Sequence, residues 1–377
     1  MALNGSADFI VIGGGIAGAS VAYWLTEHAR VIVLEREPQP GYHSTGRSAA
    51  LFIETYGPPQ VRVLTRASRR FFESPPPGFT DHPLLSPRGE LLVASDQQAR
   101  RLEEYWEDVR SSGTFTRRVD RAEACSLVPV LRPERIVGGV YEPDACDIDV
   151  HALHQGYLRE MRRRGGILHC DAEVTHIERS DSQWCVHVGD TSYAAPTIVN
   201  AAGAWADVIA KMAGVAPIGL EPRRRSAFTF APPEGVDAAS WPALIGAAED
   251  WYFKPDAGML LGSPANADPV EPQDVQAEEM DIALAIDRIE ELTTLTIRRP
   301  ARIWAGLRSF VTDGSHVGGF DAHSPGFFWL AGQGGYGIQT SAAMGEACAA
   351  LTRGRPIPQH LADFGITADA LSPSRIR

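Results

Sequence analysis

Apolar positions along the chain fall into two periods, and each predicts a different element. Short runs rich in β-branched or large apolar residues, closed by glycine or polar residues, mark buried strands at 8–12 (DFIVI), 30–34 (RVIVL) and 327–331 (FFWLA). Further strands are predicted at 89–95, 226–230, 251–254 and 259–262. Helix-period patterns predict helices over 19–28, 95–110, 274–294 and 338–351. Prolines at 58–59 and 75–77 punctuate the first crossing between these groups. There are no internal repeats, and the C-terminal LSPSRIR is expected to fray.

The first strand leads directly into Gly13-Gly14-Gly15-Ile16-Ala17-Gly18, which satisfies GxGxxG, and the second ends in Glu35. Each position has a physical task. Gly13 permits a tight turn, Gly15 lets backbone approach a pyrophosphate, and Gly18 lets the helix lie close to the strand. The helix N-terminus offers free N–H groups to phosphate. Glu35 can accept hydrogen bonds from a ribose and would repel a 2′-phosphate, which argues against NADP.

Later segments decide between FAD and NAD. The loop 43–50 (HSTGRSAA) is small and polar, as suits a chain running along a ribityl tail and a flavin ring. TIVNAAG at 197–203 ends a strand in small residues beneath a nucleotide. A second glycine turn, 332–337 (GQGGYG), opens a small-residue helix. A helix start aimed at a flavin would stabilise the negative charge of its reduced ring. FAD is therefore the expected cofactor.

Composition narrows the partners. The 377 residues suggest two joined domains, and 44% hydrophobic content is ordinary for a globular chain. A formal net charge of −12 argues against nucleic acid. Five cysteines without a CxxC pair indicate neither a disulfide framework nor a metal site, and fit a reducing cytoplasm. The N-terminus lacks the basic flank and cleavage site of a signal peptide. No segment reads as a membrane span, because strand and glycines account for the apolar stretch 9–25. The expected location is cytoplasmic, with peripheral membrane association as an alternative.

Arginine is the best clamp for a carboxylate, but the chain contains only two lysines, Lys211 and Lys254, so arginine abundance selects nothing. Arg308 stands out because WAGLRSF around it is apolar or small, which predicts a buried charge. Arg225 precedes the strand SAFTF and can point under the sheet. Arg223 and Arg224 read as a surface face. Unaided, Tyr56 and Tyr252 are core or surface aromatics, and Glu90 is a solvated residue at a strand start.

The motif order resembles the D-amino-acid oxidase and glycine oxidase superfamily of flavoproteins. Within it, the chain resembles the FAD-dependent D-amino-acid dehydrogenases of the D-arginine type. HSTGRSAA (43–50), HPLLSP (82–87), HALHQGYLR (151–159), RRSAF (224–228), KPDAGMLLGSPANADPVE (254–271), TTLTIRRP (293–300), WAGLRSF (304–310) and GGYGIQTSAAMGEA (334–347) carry the resemblance. It implies an α/β fold: a Rossmann-like FAD-binding domain (1–85, 141–220 and 298–377) and a discontinuous α/β substrate domain (86–140 and 221–297). The mostly antiparallel sheet of the second domain would roof the flavin.

The resemblance implies FAD contacts at Gly13, Gly15, Ile16, Ala17, Gly18, Glu35, Arg36, Ser44, Thr45, Arg47, Ser48, Ala49, Ala50, Val174, Ala202, Gly203, Trp205, Gly334, Gly335, Tyr336, Gly337, Ile338 and Gln339. Covalently flavinylated members use a cysteine. The regions 304–310 and 332–337 contain none, so noncovalent FAD is expected. The implied reaction is oxidative deamination of a D-amino acid to an imino acid, which hydrolyses to a 2-oxo acid and ammonia. The electron acceptor is left open between a quinone or other carrier and O2.

Arg308 and Arg225 match residues that hold the substrate carboxylate, joined by Tyr252 and by Tyr56 on a mobile lid. Glu90 matches the acid that pairs with a guanidinium, and Gly335 the glycine whose carbonyl meets the amine. The sequence departs at Leu51 and Ile53, where the D-arginine enzymes have histidine and threonine. That departure moves the expected preference toward apolar side chains or a secondary amine. The alternatives are therefore an oxidase, a dehydrogenase of an N-substituted or cyclic secondary amino acid, or a flavin-binding protein without amine chemistry.

Overall fold

The computed structural model describes every residue except Met1 and Asp181. Its nucleotide-binding half is built on a six-stranded sheet. The strand order is Ile167–His169, Val31–Leu34, Phe9–Ile12, Thr197–Asn200, Phe327–Ala331 and Val317–Phe320. The first five run parallel and the last is antiparallel.

Strand period 2 explains why these runs are apolar throughout. Phe9 and Val11 face the helices Ile16–Leu25, Val150–Arg163 and Ser341–Thr352. Ile10 and Ile12 face the opposite way, toward Trp184, Val186 and Tyr193 of a four-stranded sheet. With both faces covered, each large apolar side chain contributes roughly 1.5–3 kcal/mol of burial. The apolar stretch over 9–25 is thus a buried strand and a helix with eight buried residues. Among the described residues, no helix is long and apolar enough to cross a membrane.

The other half is a nine-stranded sheet. Its main path runs Asp268–Pro269, Glu221–Phe230, Met259–Ser263, Tyr252–Asp256, Ala243–Gly246, Glu90–Ala94, Gly138–Glu142 and Arg117–Asp120. All pairings are antiparallel except Ala243–Gly246 with Glu90–Ala94. The ninth strand, Arg302–Phe310, pairs with Glu221–Phe230 from Glu221↔Phe310 to Thr229↔Arg302. It therefore belongs to this sheet, although the expected partition placed 298–377 with the nucleotide half. Gly138–Glu142 likewise crosses the boundary expected at 140–141.

The C-terminal helix begins at Ser341, three residues later than expected, because 335–340 forms a succession of turns. The tail does not fray: Pro373–Ile376 is a short 3-10 turn, Arg375 Nε donates to Asp313, and Arg377 pairs with Asp321 at 2.6 Å. The loop 43–50 is laced to the strand Arg302–Phe310. Ser44 Oγ donates to Leu307 O at 2.6 Å, Arg47 Nη1 to Ala305 O at 3.0 Å, and Trp304 Nε1 to Arg47 O at 3.1 Å. These bonds fix the seam between the halves, where the site lies.

Candidate active site

A cleft with about 1690 Å³ of empty space runs from the glycine turn to the seam. At its inner end Gly13 has φ +106°, and a Cβ there would sit 2.5 Å from Ala201 O, so the turn excludes other residues. Glu35 fixes this turn. One of its oxygens accepts from Gly14 N at 2.7 Å and the other from Glu37 N at 2.9 Å. Thr45 Oγ1 accepts from Ile16 N at 3.0 Å, tying the 43–50 loop to the helix start. The first-turn N–H groups of Ile16–Leu25 and the small residues of 197–203 suit a dinucleotide.

All the expected cofactor residues but four line this cleft. Gly18 lies beneath it, packed on the Gly13 carbonyl. Ala50, Tyr336 and Gln339 instead line a second, adjoining cavity. The chain turns between the two at Ala50, whose φ of +49° is unusual for a residue with a side chain. Arg36 lies 4.5 Å above the Trp205 ring, and His43 packs on its side at 4.7 Å.

The second cavity brings together all six expected catalytic positions, Tyr56, Glu90, Arg225, Tyr252, Arg308 and Gly335. Arg225, Tyr252, Arg308 and Gly335 border both spaces. Arg225 and Arg308 stand on adjacent antiparallel strands, with Arg308 opposite Arg223 and Gly306 opposite Arg225. Period 2 sends both to one face. Neither pairs with a carboxylate among the described residues, and Arg225 Nε is buried without a partner.

Burial, then the neighbouring Arg308 charge, push the Arg225 pKa down to about 10, so it is still charged at neutral pH. Burial also opposes the Arg308 charge, but Tyr56, Tyr252 and Tyr336 outweigh it and its pKa is raised. Arg308 Nη1 donates to the Tyr56 hydroxyl at 3.0 Å. The Tyr56 ring packs edge-on against Tyr336 at 4.9 Å. A Cβ at Gly335 would lie 2.7 Å from Arg308 Nη1, so only glycine lets the guanidinium rest against this turn. Arg223 pairs with Glu221 on the surface. Arg224, expected on the surface, is buried among Asp268, Glu278 and Asp281 on the opposite face.

Glu90 is buried rather than solvated. It sits directly across from buried Glu142 on the neighbouring strand. Burial raises both carboxyl pKa values, and for Glu90 the charges of Glu142 and Glu249 add to this. Glu142 is held by Thr55 Oγ1 and by the backbone N–H groups of Glu54 and Thr55. Asp108, paired with Arg62 at 2.5 Å, and Glu249 complete an acidic end. Leu51 and Ile53 form the apolar wall.

Sequence reading missed Glu142, Thr55, Tyr105 and His154. The first three come from separate segments that only the tertiary fold brings together: Glu142 by sheet register opposite Glu90, Thr55 from a turn and Tyr105 from the helix Ala99–Val109. His154 Nε2 lies 2.8 Å from Gly14 O, and burial lowers its pKa, so the neutral ring donates to that carbonyl and supports the turn. Its position inside HALHQGYLR on the helix Val150–Arg163 was the available signal.

Comparison with known proteins agrees with this geometry. The chain is 28% identical over 397 residues to FAD-dependent oxidoreductase domain-containing protein 1 of Bos taurus, covering 91% of this chain and 80% of that protein. It is 28% identical over 214 residues to the mitochondrial dimethylglycine dehydrogenase of Rattus norvegicus, covering 55% of this chain and 25% of that longer protein. The fold superposes on glycine oxidase from Geobacillus kaustophilus with a TM-score of 0.82 at 20% identity, covering 93% and 95% of the two chains. The DAO family model, described as FAD dependent oxidoreductase, matches residues 8–351, so the chain belongs to that family of enzymes and FAD is its cofactor.

Proposed function

We propose that the enzyme oxidises the carbon–nitrogen bond of an amino acid whose carboxylate is held by Arg225 and Arg308. The observation that carries this reading is the pair itself: two cations on one sheet face, without carboxylate partners among the described residues, at the border between the cofactor cleft and the second cavity. An arginine fork matches a carboxylate's two oxygens, and a half-buried pair of like charges favours an anionic ligand between them.

Bound FAD supplies a two-electron acceptor for the substrate hydrogen. The protein's own task is orientation. Arg225, Arg308, Tyr56 and Tyr252 clamp the carboxylate, which fixes the alpha carbon at the seam. The side chain then extends between Leu51 and Ile53 toward Glu90. A D-configured substrate, the imine product and its hydrolysis to a 2-oxo acid and ammonia belong to this proposal.

Anaerobic mixing of the FAD-loaded enzyme with D-arginine, D-lysine, D-methionine and D-phenylalanine tests it. Flavin absorbance should bleach with at least one of them. If none of these, their L-enantiomers or their N-methyl derivatives bleaches it, amine oxidation is wrong.

A second reading, an N-substituted or secondary amino acid, is favoured by the apolar wall of Leu51 and Ile53, which offers a primary amine no side-chain partner. The likeness to dimethylglycine dehydrogenase supports it too. Faster bleaching by N-methyl than by primary D-amino acids would select it. Peroxide formed in air, one per substrate, would mark an oxidase; none would leave a quinone or another carrier as acceptor.

A further inference from the structure

We propose a transition-metal site, outside the flavin cleft, that takes Zn²⁺ on Cys185, His187 and Glu178 with His176 as fourth ligand. The four residues lie on the hairpin formed by His176–Ser180 and Gln183–Val188. Ile177, Trp184 and Val186 are buried against the nucleotide-binding half. Strand alternation therefore turns His176, Glu178, Cys185 and His187 to the outer face.

Register completes the grouping. His176 stands opposite His187, and Glu178 opposite Cys185, in two successive same-face pairs. The imidazole rings are 5.4 Å apart. Glu178 Oε1 lies 3.3 Å from His187 Nε2, and Oε2 lies 3.9 Å from His176 Nε2. One ligand atom each from Glu178, Cys185 and His187 falls within 4.8 Å of the others. Tetrahedral Zn²⁺ with bonds of about 2.0–2.3 Å needs ligand atoms roughly 3.3–3.8 Å apart. The three therefore exceed tetrahedral spacing by at most about 1.0–1.5 Å, within reach of the exposed Glu178 side chain, and His176, outside that group, joins them by turning its own exposed ring.

The donor set selects the ion. One thiolate with imidazole suits Zn²⁺ and repels no part of it, whereas Mg²⁺ and Ca²⁺ prefer all-oxygen shells. On binding, the Cys185 thiol gives its proton to solvent, and thiolate plus Glu178 carboxylate neutralise the ion's two charges. Sequence spacing conceals the site because the ligands come from two strands, as H-x-E and C-x-H, instead of one CxxC. None of the four lines either cavity, so variants here leave the flavin site intact.

The FAD-loaded enzyme, stripped with a chelator and dialysed against Zn²⁺, should retain one ion per chain by elemental analysis. Excess Mg²⁺ should not displace it, and affinity should fall as pH is lowered. Cys185→Ser and His187→Ala should each weaken binding at least about 10-fold, the lower end of what losing even a supporting partner costs in metal sites. Cys125→Ser, at a thiol elsewhere, should change nothing. Flavin content reports that each variant has folded. Uptake well below one ion per chain, displacement by Mg²⁺, or equal uptake by the Cys185→Ser/His187→Ala variant overturns the proposal.

Discussion

Arg225→Met should make the substrate-free enzyme more stable while weakening its hold on carboxylates. The structure supplies both signs. The Arg225 pKa falls from its ordinary guanidinium value to about 10, chiefly through burial and secondarily through Arg308. At about 1.4 kcal/mol per pKa unit, holding the charge in place costs on the order of 3 kcal/mol. Partial exposure reduces the recoverable share to about 1–3 kcal/mol. Methionine keeps much of the apolar stem and removes the charge and the partnerless Nε.

The opposite effect falls on the ligand. A hydrogen bond to a charged group is worth about 1.5–3 kcal/mol, so losing this arginine should weaken a carboxylate roughly 10–150-fold. Urea unfolding of the FAD-loaded, substrate-free protein measures the first effect. Flavin spectral titration with a 2-oxo acid, which has no amine to titrate, measures the second. In the parent enzyme that affinity should fall as pH rises through 10, because Arg225 gives up its proton and the anion loses a cation. The variant should lack this step. A variant less stable than its parent, or one that binds the acid equally well, would refute the idea of a charge held for a ligand.

Three further outcomes follow from the same geometry. Glu90→Gln should reduce kcat/KM for D-arginine and D-lysine far more than for D-methionine or D-phenylalanine; equal losses would remove Glu90 from the side-chain end. Because the Glu90 pKa is raised, affinity for a cationic substrate should rise with pH as that proton leaves, while affinity for an apolar one stays flat, as comparative titrations would show. His316 is fully buried, and burial lowers its pKa from 6.5 to about 4, so only the unfolded chain takes up its proton between these values. Stability should therefore be full above 6.5 and decline toward 4, by about 3 kcal/mol from this group. His316→Gln should flatten that part of the pH–stability curve.

Much of this site was legible because its signals are local. The strand–glycine–helix–acid order fixes the inner end of the cleft, and each part is contiguous in the chain. Arg308 betrayed itself by standing alone in an apolar strand. Glu90 was not legible by pattern: one acid before LLVA reads as a solvated strand start. Its burial follows from the register that sets Glu142 opposite and Ala243 alongside, and both lie far away in sequence. The same reason hid the membership of Arg302–Phe310 in the nine-stranded sheet. Pairing along its whole length with Glu221–Phe230 is a long-range choice that local periodicity does not encode. Arg224 was misplaced because alternation alone does not say which face of a strand is covered. The helix Glu279–Leu292 and its acids cover this one.

The arrangement of charge along the second cavity bears on how a substrate would lie in it. The cationic end, Arg225 and Arg308, borders the cofactor cleft, and the acidic end, Glu90 and Glu249, lies away from it, with Asp108 there offset by its partner Arg62. An amino acid with a cationic side chain meets favourable charge only with its carboxylate at the seam. Reversed, it sets carboxylate against carboxyls and cation against guanidinium, and like-charge juxtaposition costs several kcal/mol. An apolar side chain meets no such penalty from its own end, because burial raises the Glu90 pKa well above its ordinary value and its carboxyl keeps a proton more readily when no cation arrives. One cavity can then orient both kinds of substrate by the carboxylate and separate them by the protonation of its acidic end. Glu90→Gln, which fixes the neutral form, should leave the first property intact and abolish the second.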